Sequence, residues 1–225
     1  MNGRKQKTAI TDTCQRKDRT ESEGYVGGQT FLWMSEKEYA DTKEHKRDLL
    51  EYILSPGNLN QAYRQVKANK GSGGVDGMQV EQLKSYLQAH REELIEDLQE
   101  GNYRPNPVKR VEIPKERGKK RRLGVPTVVD RVIQQAITQQ LTPMYERQFS
   151  AASYGFRPRR SSHQALRRCQ DYANAGYHYV VDMDLAKYFD TVNQSKLIEV
   201  LSRTIKDGRV VSLIHKYLRS GSMSR

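Results

Sequence analysis

Apolar residues recur at intervals of three or four along much of the chain, which is the spacing of amphipathic helices. The spacing predicts a helix over Leu49–Leu54 that ends at Ser55-Pro56-Gly57, because Pro and Gly terminate helices. Asn58 is then expected to cap a second helix, whose apolar side runs over Leu59–Val66. A longer helical pattern extends from Val80 to Leu98, with a predicted bend or interruption near its middle.

After Pro107 apolar and charged residues alternate, as they do in a strand with one buried face. The alternation predicts a strand over Val108–Ile113, a basic hairpin turn, and a returning strand over Leu123–Pro126. Thr127 is expected to cap the helix that follows, since its hydroxyl can accept a hydrogen bond from the first turn.

In the last third of the chain, the aromatic and β-branched run Tyr177–Met183 predicts a buried strand. Helical spacing resumes from Ser195 and again from Arg209. Earlier in the chain, Gly71–Gly77 holds four glycines in seven residues, which predicts unusual dihedral angles or a close approach of backbone. Residues 1–45 carry mixed charges and few apolar residues, so we expect a disordered leader.

Composition adds a strong electrostatic bias to this pattern. The 225 residues carry a net charge of +12 and a pI near 9.7, and polyanions are the commonest partners of such a surplus. No apolar run is long enough to span a membrane, and the N-terminus lacks the apolar segment of a secretory signal. Cys14 and Cys169 match no disulfide or metal framework, so we expect a reducing, cytoplasmic compartment.

The positive charge is concentrated in two clusters. Residues 104–122 hold nine Lys and Arg residues against two Glu, and residues 157–168 hold five Arg. A basic hairpin can fold over a phosphate chain, although a charged run is also the ordinary composition of a solvated surface. The residues that we predict to bind RNA from these clusters are Arg110, Lys119, Lys120, Arg157 and Arg159.

Asp182 and Asp184 lie at the end of the predicted strand Tyr177–Met183 and share one of its faces. Carboxylates at the end of an apolar strand are costly unless they are solvated, paired or bound to a cation. Oxygen ligands of this kind suit Mg²⁺. The alternative is that one carboxylate caps a helix and the other forms a salt bridge, and composition alone does not decide between the two.

Four segments in order resemble the reverse transcriptase domain of bacterial group II intron-encoded proteins (maturases). The resemblance covers residues 47–225 and is carried by Asn69–Gly77, by Ile113–Lys115 with Arg122–Arg131, by Ser153–Ser161 and by Asp184–Asp190. It implies an α+β fold, the fingers and partial palm of a right-hand polymerase, with helix-rich fingers and short antiparallel strands. The implied divisions are an N-terminal extension and the start of the fingers (46–105), the fingers (106–176) and a partial palm (177–225).

The resemblance also implies roles for individual residues. Asp184 matches the first catalytic aspartate, a Mg²⁺ ligand that the backbone carbonyl of Leu185 would join, with Asp182 and Asp190 in support. Lys115 and Arg121 match residues that close on the triphosphate of the incoming dNTP. Phe189 matches the aromatic gate beneath the sugar. The amides of Lys187 and Tyr188 would approach the phosphates, and Lys67 and Lys70 border a loop that would touch the RNA template.

The implied activity is RNA-directed DNA polymerisation in support of intron splicing and mobility, with intron RNA, an RNA template, a DNA primer or target and dNTPs as partners. The sequence departs from the family because no two aspartates are adjacent, whereas the family's second metal-binding element is an Asp-Asp turn. We therefore expect the chain to be inactive on its own. The alternatives are a non-catalytic RNA-binding splicing cofactor, or a retron-type or diversity-generating reverse transcriptase.

Overall fold

The computed structural model of the protein describes residues 48–114, 120–185 and 188–223. The predicted leader lies outside the described residues, and so do three of the predicted site residues, Lys115, Lys119 and Lys187. None of the helices in these three ranges is both long enough and apolar enough to cross a membrane.

The first two helices are α1 (Leu49–Leu54) and α2 (Pro56–Asn69), and they are separated at Ser55 as predicted. The prediction that Asn58 caps α2 is wrong, because the helix begins two residues earlier, with Pro56 in its first turn. Asn58 is buried, and its Nδ2 donates hydrogen bonds to the carbonyl oxygens of Ile53 (2.8 Å) and Ala136 (3.0 Å).

A 3-10 helix (Val80–Gln82) leads into α3 (Leu83–Glu100), which is continuous, so the predicted interruption near its middle is wrong. The helix ends at Gly101, whose φ of 75° is in the left-handed region that glycine adopts readily. The amides of Asn102 and Tyr103 both donate to the carbonyl oxygen of Asp97, which satisfies the helix end.

The predicted hairpin is confirmed as two antiparallel strands, β1 (Val108–Pro114) and β2 (Lys120–Val125). The second strand begins at Lys120, so three residues that we assigned to the turn belong to it. A two-residue strand, β3 (Ser222–Met223), pairs in parallel with the start of β1 and completes a sheet of order β2-β1-β3.

The helix after the hairpin is α4 (Val128–Glu146), and Thr127 caps it as predicted, since its hydroxyl accepts a hydrogen bond from the amide of Asp130. The last helix is α8 (Gly208–Arg219). Buried apolar side chains of α1, α2, α3, α4 and α8 form one core, which we call the helical core. A hydrogen bond joins the first helix of this core to the last, because the amide of Leu50 in α1 donates to Oδ2 of Asp207, the residue before α8, at 3.0 Å.

Between α4 and α8 lie α5 (Ser162–Asn174), the single turn α6 (Tyr188–Thr191) and α7 (Gln194–Thr204). No described residue from 147 to 204 is buried, and we call this range the exposed segment. The prediction of a buried strand over Tyr177–Met183 is wrong: the run is irregular, and Tyr179 and Val181 are 97% and 81% exposed. A strand needs a neighbour for its backbone N–H and C=O groups, and in the described part of the chain the sheet is β2-β1-β3 alone. Helices with a small sheet confirm the predicted α+β class.

Candidate nucleotide and nucleic-acid sites

The hairpin has two chemically different faces, because residues that pair directly across two strands point to the same side. Glu112 pairs with Arg122, and Pro114 pairs with Lys120, so their side chains share one exposed, charged face. The other face is mostly apolar: Val111 pairs with Leu123 and Ile113 with Arg121, while Lys109 pairs with Val125 at its inner end. Arg121 is therefore the basic residue at the outer end of the apolar face.

On the charged face, Glu112 neutralises part of the positive charge. The Lys120 ammonium lies 2.8 Å from the Glu112 carboxylate, and the Arg122 guanidinium lies 3.7 Å from it. The hydrogen bond between Lys120 and Glu112 raises the pKa of Lys120 and lowers the pKa of Glu112. All three side chains stay exposed, so this pair is open to exchange with a phosphate group.

Arg110 lies on the same charged face, and its guanidinium donates a hydrogen bond to the hydroxyl of Ser222 at 3.0 Å. The hairpin thus brings Arg110, Lys120 and Arg122 together on one face, with Arg121 on the other. Each of the two faces can contact a different partner.

The glycine-rich loop docks closely on the start of α4. A Cβ atom on Gly74 would lie 2.6 Å from the Cα of Thr127, so only glycine fits there without a shift of backbone. Gly71 has a φ of 113° and Lys70 a φ of 52°, which confirms the predicted unusual dihedral angles. The Arg131 guanidinium holds the loop from α4 by donating to the carbonyl oxygen of Ser72 at 2.6 Å.

Lys67 and Lys70, the residues predicted to border the template, lie at the end of α2 beside this loop, and both are exposed. Lys67 lies 6.0 Å from the centre of the Tyr63 ring. A polar groove of about 250 Å³ runs beside Lys70 between α2 and α4, and Arg131 and Gln134 contribute to its lining. Partial burial lowers the pKa of Arg131, but the residue remains a cation at every physiological pH.

The two predicted arginines of the exposed segment differ in accessibility. The residue as a whole is half-buried, but the side chain of Arg157 is only 7% exposed and donates to the carboxylate of Glu146 at 2.6 Å and to the carbonyl oxygens of Ser150 and Ser153. A contact with RNA would compete with these bonds, and the predicted role of Arg157 in RNA binding stays a prediction. Arg159 is exposed and has a left-handed φ of 58°.

Asp184 is exposed on the irregular run that replaces the predicted strand. Its Oδ1 accepts the amide of Leu185 at 2.9 Å, and Asp182 is exposed as well. Within residues 48–114, 120–185 and 188–223, no three His, Cys, Asp or Glu side chains converge as a metal site. The geometry therefore offers a hard oxygen donor at Asp184 without the remaining ligands of a metal site.

Tyr188 and Phe189 open α6, and their rings meet edge to face with centroids 5.6 Å apart. Phe189 is 89% exposed. Phe189 therefore does not pack as a core aromatic against any of the described residues. Its predicted role beneath the sugar stays a prediction.

Sequence reasoning missed Asp130 and Arg131, whose contacts lie far away along the chain. Asp130 accepts from Tyr103 and from the amide of Asn106, and Arg131 reaches Ser72, which lies 59 positions away. The one local signal was Asp130 itself, an acidic residue in the first turn of α4. Acidic residues are common at that position because they interact favourably with the helix dipole, so this one did not indicate a special role.

Comparison with known proteins bears on these sites. A family model described as reverse transcriptase (RNA-dependent DNA polymerase) matches residues 113–225, half of the chain. The range includes β2, Arg121, Arg157 and the Asp184–Asp190 segment.

Individual relatives extend the match toward the N-terminus. The chain is 37% identical over 179 residues to "Protein YkfC" of Escherichia coli (strain K12), which covers 77% of this chain and 47% of YkfC. It is 34% identical over 174 residues to the "Group II intron-encoded protein LtrA" of Lactococcus lactis subsp. cremoris, covering 77% of this chain and 29% of LtrA. It is 34% identical over 195 residues to the "Putative COX1/OXI3 intron 2 protein" of Saccharomyces cerevisiae, covering 85% of this chain and 22% of that protein. The chain thus spans half or less of the length of these relatives.

Proposed function

Because the chain belongs to the reverse transcriptase (RNA-dependent DNA polymerase) family, we propose that it supplies the fingers and the first catalytic carboxylate of an RNA-directed DNA polymerase of the group II intron maturase type. Intron RNA, an RNA template, a DNA primer or target and dNTPs are its partners, in the bacterial cytoplasm. The observation that carries the proposal is the hairpin with two faces, which separates Arg121 from Arg110, Lys120 and Arg122.

Arg121 contacts the triphosphate of the incoming dNTP. A guanidinium forms bidentate, charge-assisted hydrogen bonds with phosphate oxygens, and its place beside Ile113 sets it apart from the Lys120–Glu112 pair. Lys115, which follows β1 in the sequence, is its proposed partner in this contact. Phosphoryl transfer needs mainly positioning and neutralisation of charge, and these two cations provide both for the triphosphate.

Reverse transcriptases use divalent metal ions, and in this chain Asp184 and the carbonyl oxygen of Leu185 are the proposed ligands of Mg²⁺. An exposed carboxylate and a backbone carbonyl are hard oxygen donors and fit that ion. When bound, the ion would neutralise charge on the triphosphate and on the attacking oxygen. Asp182 and Asp190 support the site from either side.

Phe189 lies beneath the sugar of the dNTP, with the amides of Lys187 and Tyr188 near the phosphates. An aromatic ring in that place excludes a 2′-hydroxyl by steric overlap, and the 2′-hydroxyl is what separates a ribonucleotide from a deoxyribonucleotide. Its high exposure leaves the ring accessible to such a contact.

The RNA template contacts the glycine-rich loop and the charged face of the hairpin. Lys67 and Lys70 border the loop, while Arg110 and Lys120 belong to the hairpin. Lys119, which precedes Lys120 in the sequence, and Arg159 are proposed to extend the basic surface. Phosphate contacts of this kind make binding depend steeply on salt. Arg131 supports the template site indirectly, because it holds the loop against α4.

The experiment compares Arg121→Ala with Arg122→Ala, neighbours on opposite faces of one strand, in a polymerase that contains this chain. Losing a hydrogen bond to a charged group costs about 1.5–3 kcal/mol. Arg121→Ala should therefore raise the KM for dNTP about 10- to 150-fold, at about 1.4 kcal/mol per tenfold, with RNA affinity unchanged.

Arg122→Ala is the matched control and should weaken RNA binding while the KM for dNTP stays the same. If Arg121→Ala lowers RNA affinity and leaves the dNTP dependence normal, Arg121 is a template contact and its assignment fails. If no dNTP addition occurs and RNA binding is intact, the non-catalytic splicing cofactor is the better account.

A further inference from the structure

The carboxylate of Asp130 is buried in the first turn of α4, 1% exposed, and neutral groups donate hydrogen bonds to both of its oxygens. The hydroxyl of Tyr103 donates to Oδ1 at 2.7 Å, the hydroxyl of Thr127 to Oδ2 at 2.6 Å, and the amide of Asn106 to Oδ2 at 3.2 Å. A buried charge is tolerated only when such bonds compensate its lost hydration.

The positions of these donors relate Asp130 to the hairpin. Asn106 lies two residues before β1, and Thr127 lies two residues after β2. Asn106 stands between Pro105 and Pro107, so its amide is the single backbone donor of that three-residue stretch. One carboxylate oxygen therefore ties together the two stems of the hairpin at its base.

We propose that Asp130 is a positioning residue that sets the direction of the β1–β2 hairpin relative to the helical core, and thereby places Arg121 for its contact with the nucleotide. The part that concerns Arg121 rests on the proposed function. The part that concerns the hairpin stands on the hydrogen bonds alone.

The base of the hairpin is fastened to the core at a second element, α8. Lys216 donates hydrogen bonds to the carbonyl oxygens of Gly101 and Tyr103, and the amide of Val108 donates to the carbonyl oxygen of Gly221 at 3.0 Å. Burial, together with the neighbouring Asp130, raises the pKa of Tyr103, so its hydroxyl keeps its proton and remains a donor. The residues at the base of the hairpin are therefore held by α8 and by the residues that follow it as well as by α4.

Helix capping by itself does not account for this arrangement. Thr127 already accepts the amide of Asp130 and satisfies the helix start. The bonds from Tyr103 and Asn106 add nothing to the cap, but they connect α4 to the stretch that precedes β1.

The test measures the hairpin's direction with spin labels on two exposed side chains, Arg122 in β2 and Glu96 in α3. Labels are attached to Cys at these positions after Cys14 and Cys169 are replaced by Ser, and pulsed electron paramagnetic resonance gives the distribution of interspin distances. Asp130→Asn keeps the shape of the side chain but removes the negative charge and replaces one acceptor oxygen by an amide donor, so the hydrogen bonds that hold the two stems become fewer or weaker. The distribution of interspin distances should therefore become wider than in the unmodified protein.

Asp207→Asn is the matched control, since Asp207 is 3% exposed and also accepts a backbone amide, at the start of α8, whereas Lys216 lies in the last turn of that helix. It should lower the melting temperature and leave the distribution as narrow as in the unmodified protein. A distribution that stays narrow in Asp130→Asn, or that widens equally in Asp207→Asn, overturns the proposal. If Asp130→Asn does not fold, Thr127→Val, which frees the stem after β2, must widen the distribution instead.

The distance measurement needs neither RNA nor nucleotide, so its result does not depend on the polymerase assignment. In the polymerase assay, Asp130→Asn should raise the KM for dNTP while RNA affinity stays unchanged. A widened distribution with an unchanged KM overturns the link to Arg121. If Arg121→Ala does not raise the KM for dNTP, the proposed function is overturned, whereas the result on the direction of the hairpin remains valid.

Discussion

The helical core and the exposed segment have the same apolar periodicity, but only the core buries it. In α2, Leu59, Ala62 and Val66 recur at helical spacing and are all buried. In α7, Leu197, Ile198 and Leu201 follow a similar spacing, yet no residue of that helix is buried. Periodicity therefore predicts the kind of element, whereas burial depends on whether a partner surface is present.

The exposed segment also holds most of the large exposed apolar side chains, including Val180, Val181 and Met183. None of the described residues covers these side chains, whereas the apolar side chains of α1, α2, α4 and α8 cover one another.

The largest expected effect contrasts the two regions by a deletion of side-chain volume. Ile133→Ala in α4, at 1% exposure, removes a fully packed side chain and should cost about 2–5 kcal/mol of unfolding free energy. Val181→Ala in the exposed segment, at 81% exposure, should change stability by about 0.5 kcal/mol or less. Urea denaturation of both variants measures this, and equal losses would contradict the division into two regions.

A smaller effect is expected for buried polar groups. Asn58 donates to two carbonyl oxygens, and its Oδ1 accepts from Gln139 (2.7 Å) and Gln140 (2.9 Å), so it joins α2 to α4. Asn58→Ala leaves several buried partners unpaired. Since one hydrogen bond contributes about 1 kcal/mol to the free energy of unfolding, the loss should be several times that amount.

Asn193→Ala is its counterpart in the exposed segment, where Asn193 caps α7 by accepting one amide. Its loss should cost about 1 kcal/mol. Thermal unfolding followed by circular dichroism compares the two, and a cost for Asn58→Ala no larger than that of Asn193→Ala would show that the α2–α4 network is dispensable.

Acid should affect the two regions differently. Burial on its own would raise the pKa of Asp207, but hydrogen bonds from Arg209 and from the amide of Leu50 outweigh it and hold the pKa below its ordinary value of 3.8. The folded state thus favours the carboxylate, so this stabilisation is complete well above pH 3.8 and is lost as the pH falls below that value. Asp207→Asn should remove this part of the acid sensitivity, measured as unfolding free energy between about pH 2 and pH 6.

Glu199 in α7 is the matched control for acid. Hydrogen bonds from Arg203 and Lys196 lower its pKa too, but the group is exposed and screened by solvent. Glu199→Gln should leave the pH dependence of stability as it is in the unmodified protein. If its acid profile changes as much as that of Asp207→Asn, burial is not what distinguishes the two carboxylates.

The smallest expected effect separates two arginines within the exposed segment. Arg159→Ala should reduce the slope of log K against log salt for RNA binding by about 1, as expected for one lost phosphate contact. Arg157→Ala should leave that slope unchanged and lower the resistance of residues near Ser150 to proteolysis, because Arg157 holds that turn. If the slope changes for Arg157→Ala and not for Arg159→Ala, then Arg157 and not Arg159 contacts the phosphate.

Features with local causes were predictable from the sequence. The Thr127 cap and the break at Ser55 depend on residues within one turn, and both were confirmed. Asn58 was misread because its decisive partner, the carbonyl oxygen of Ala136, is 78 positions away. The run Tyr177–Met183 has the composition of a strand, but composition cannot supply the neighbouring strand that pairing requires.

In the candidate site, too, features with local causes were more predictable than features that depend on distant residues. Alternation along β2 distinguishes Arg121 from Lys120 and Arg122, but only when the strand is known to begin at Lys120. With the strand placed at Leu123, Arg121 fell in the turn, where its face was undefined. Asp130 and Arg131 were not predictable, because their partners Asn106 and Ser72 come from a loop and from the glycine-rich stretch.

The hydrogen bond from Leu50 to Asp207 has a consequence for how the chain folds during synthesis. Its two residues are 157 positions apart, so α1 leaves the ribosome long before the carboxylate that it binds. At about 5–20 residues per second, the interval is about 8–31 s. Until then α1 and α2 can pack against α4 but not against α8, and the nascent core stays open on one side. Contacts of such long range also slow folding after release, so closure of the core is expected to be a late step for this chain.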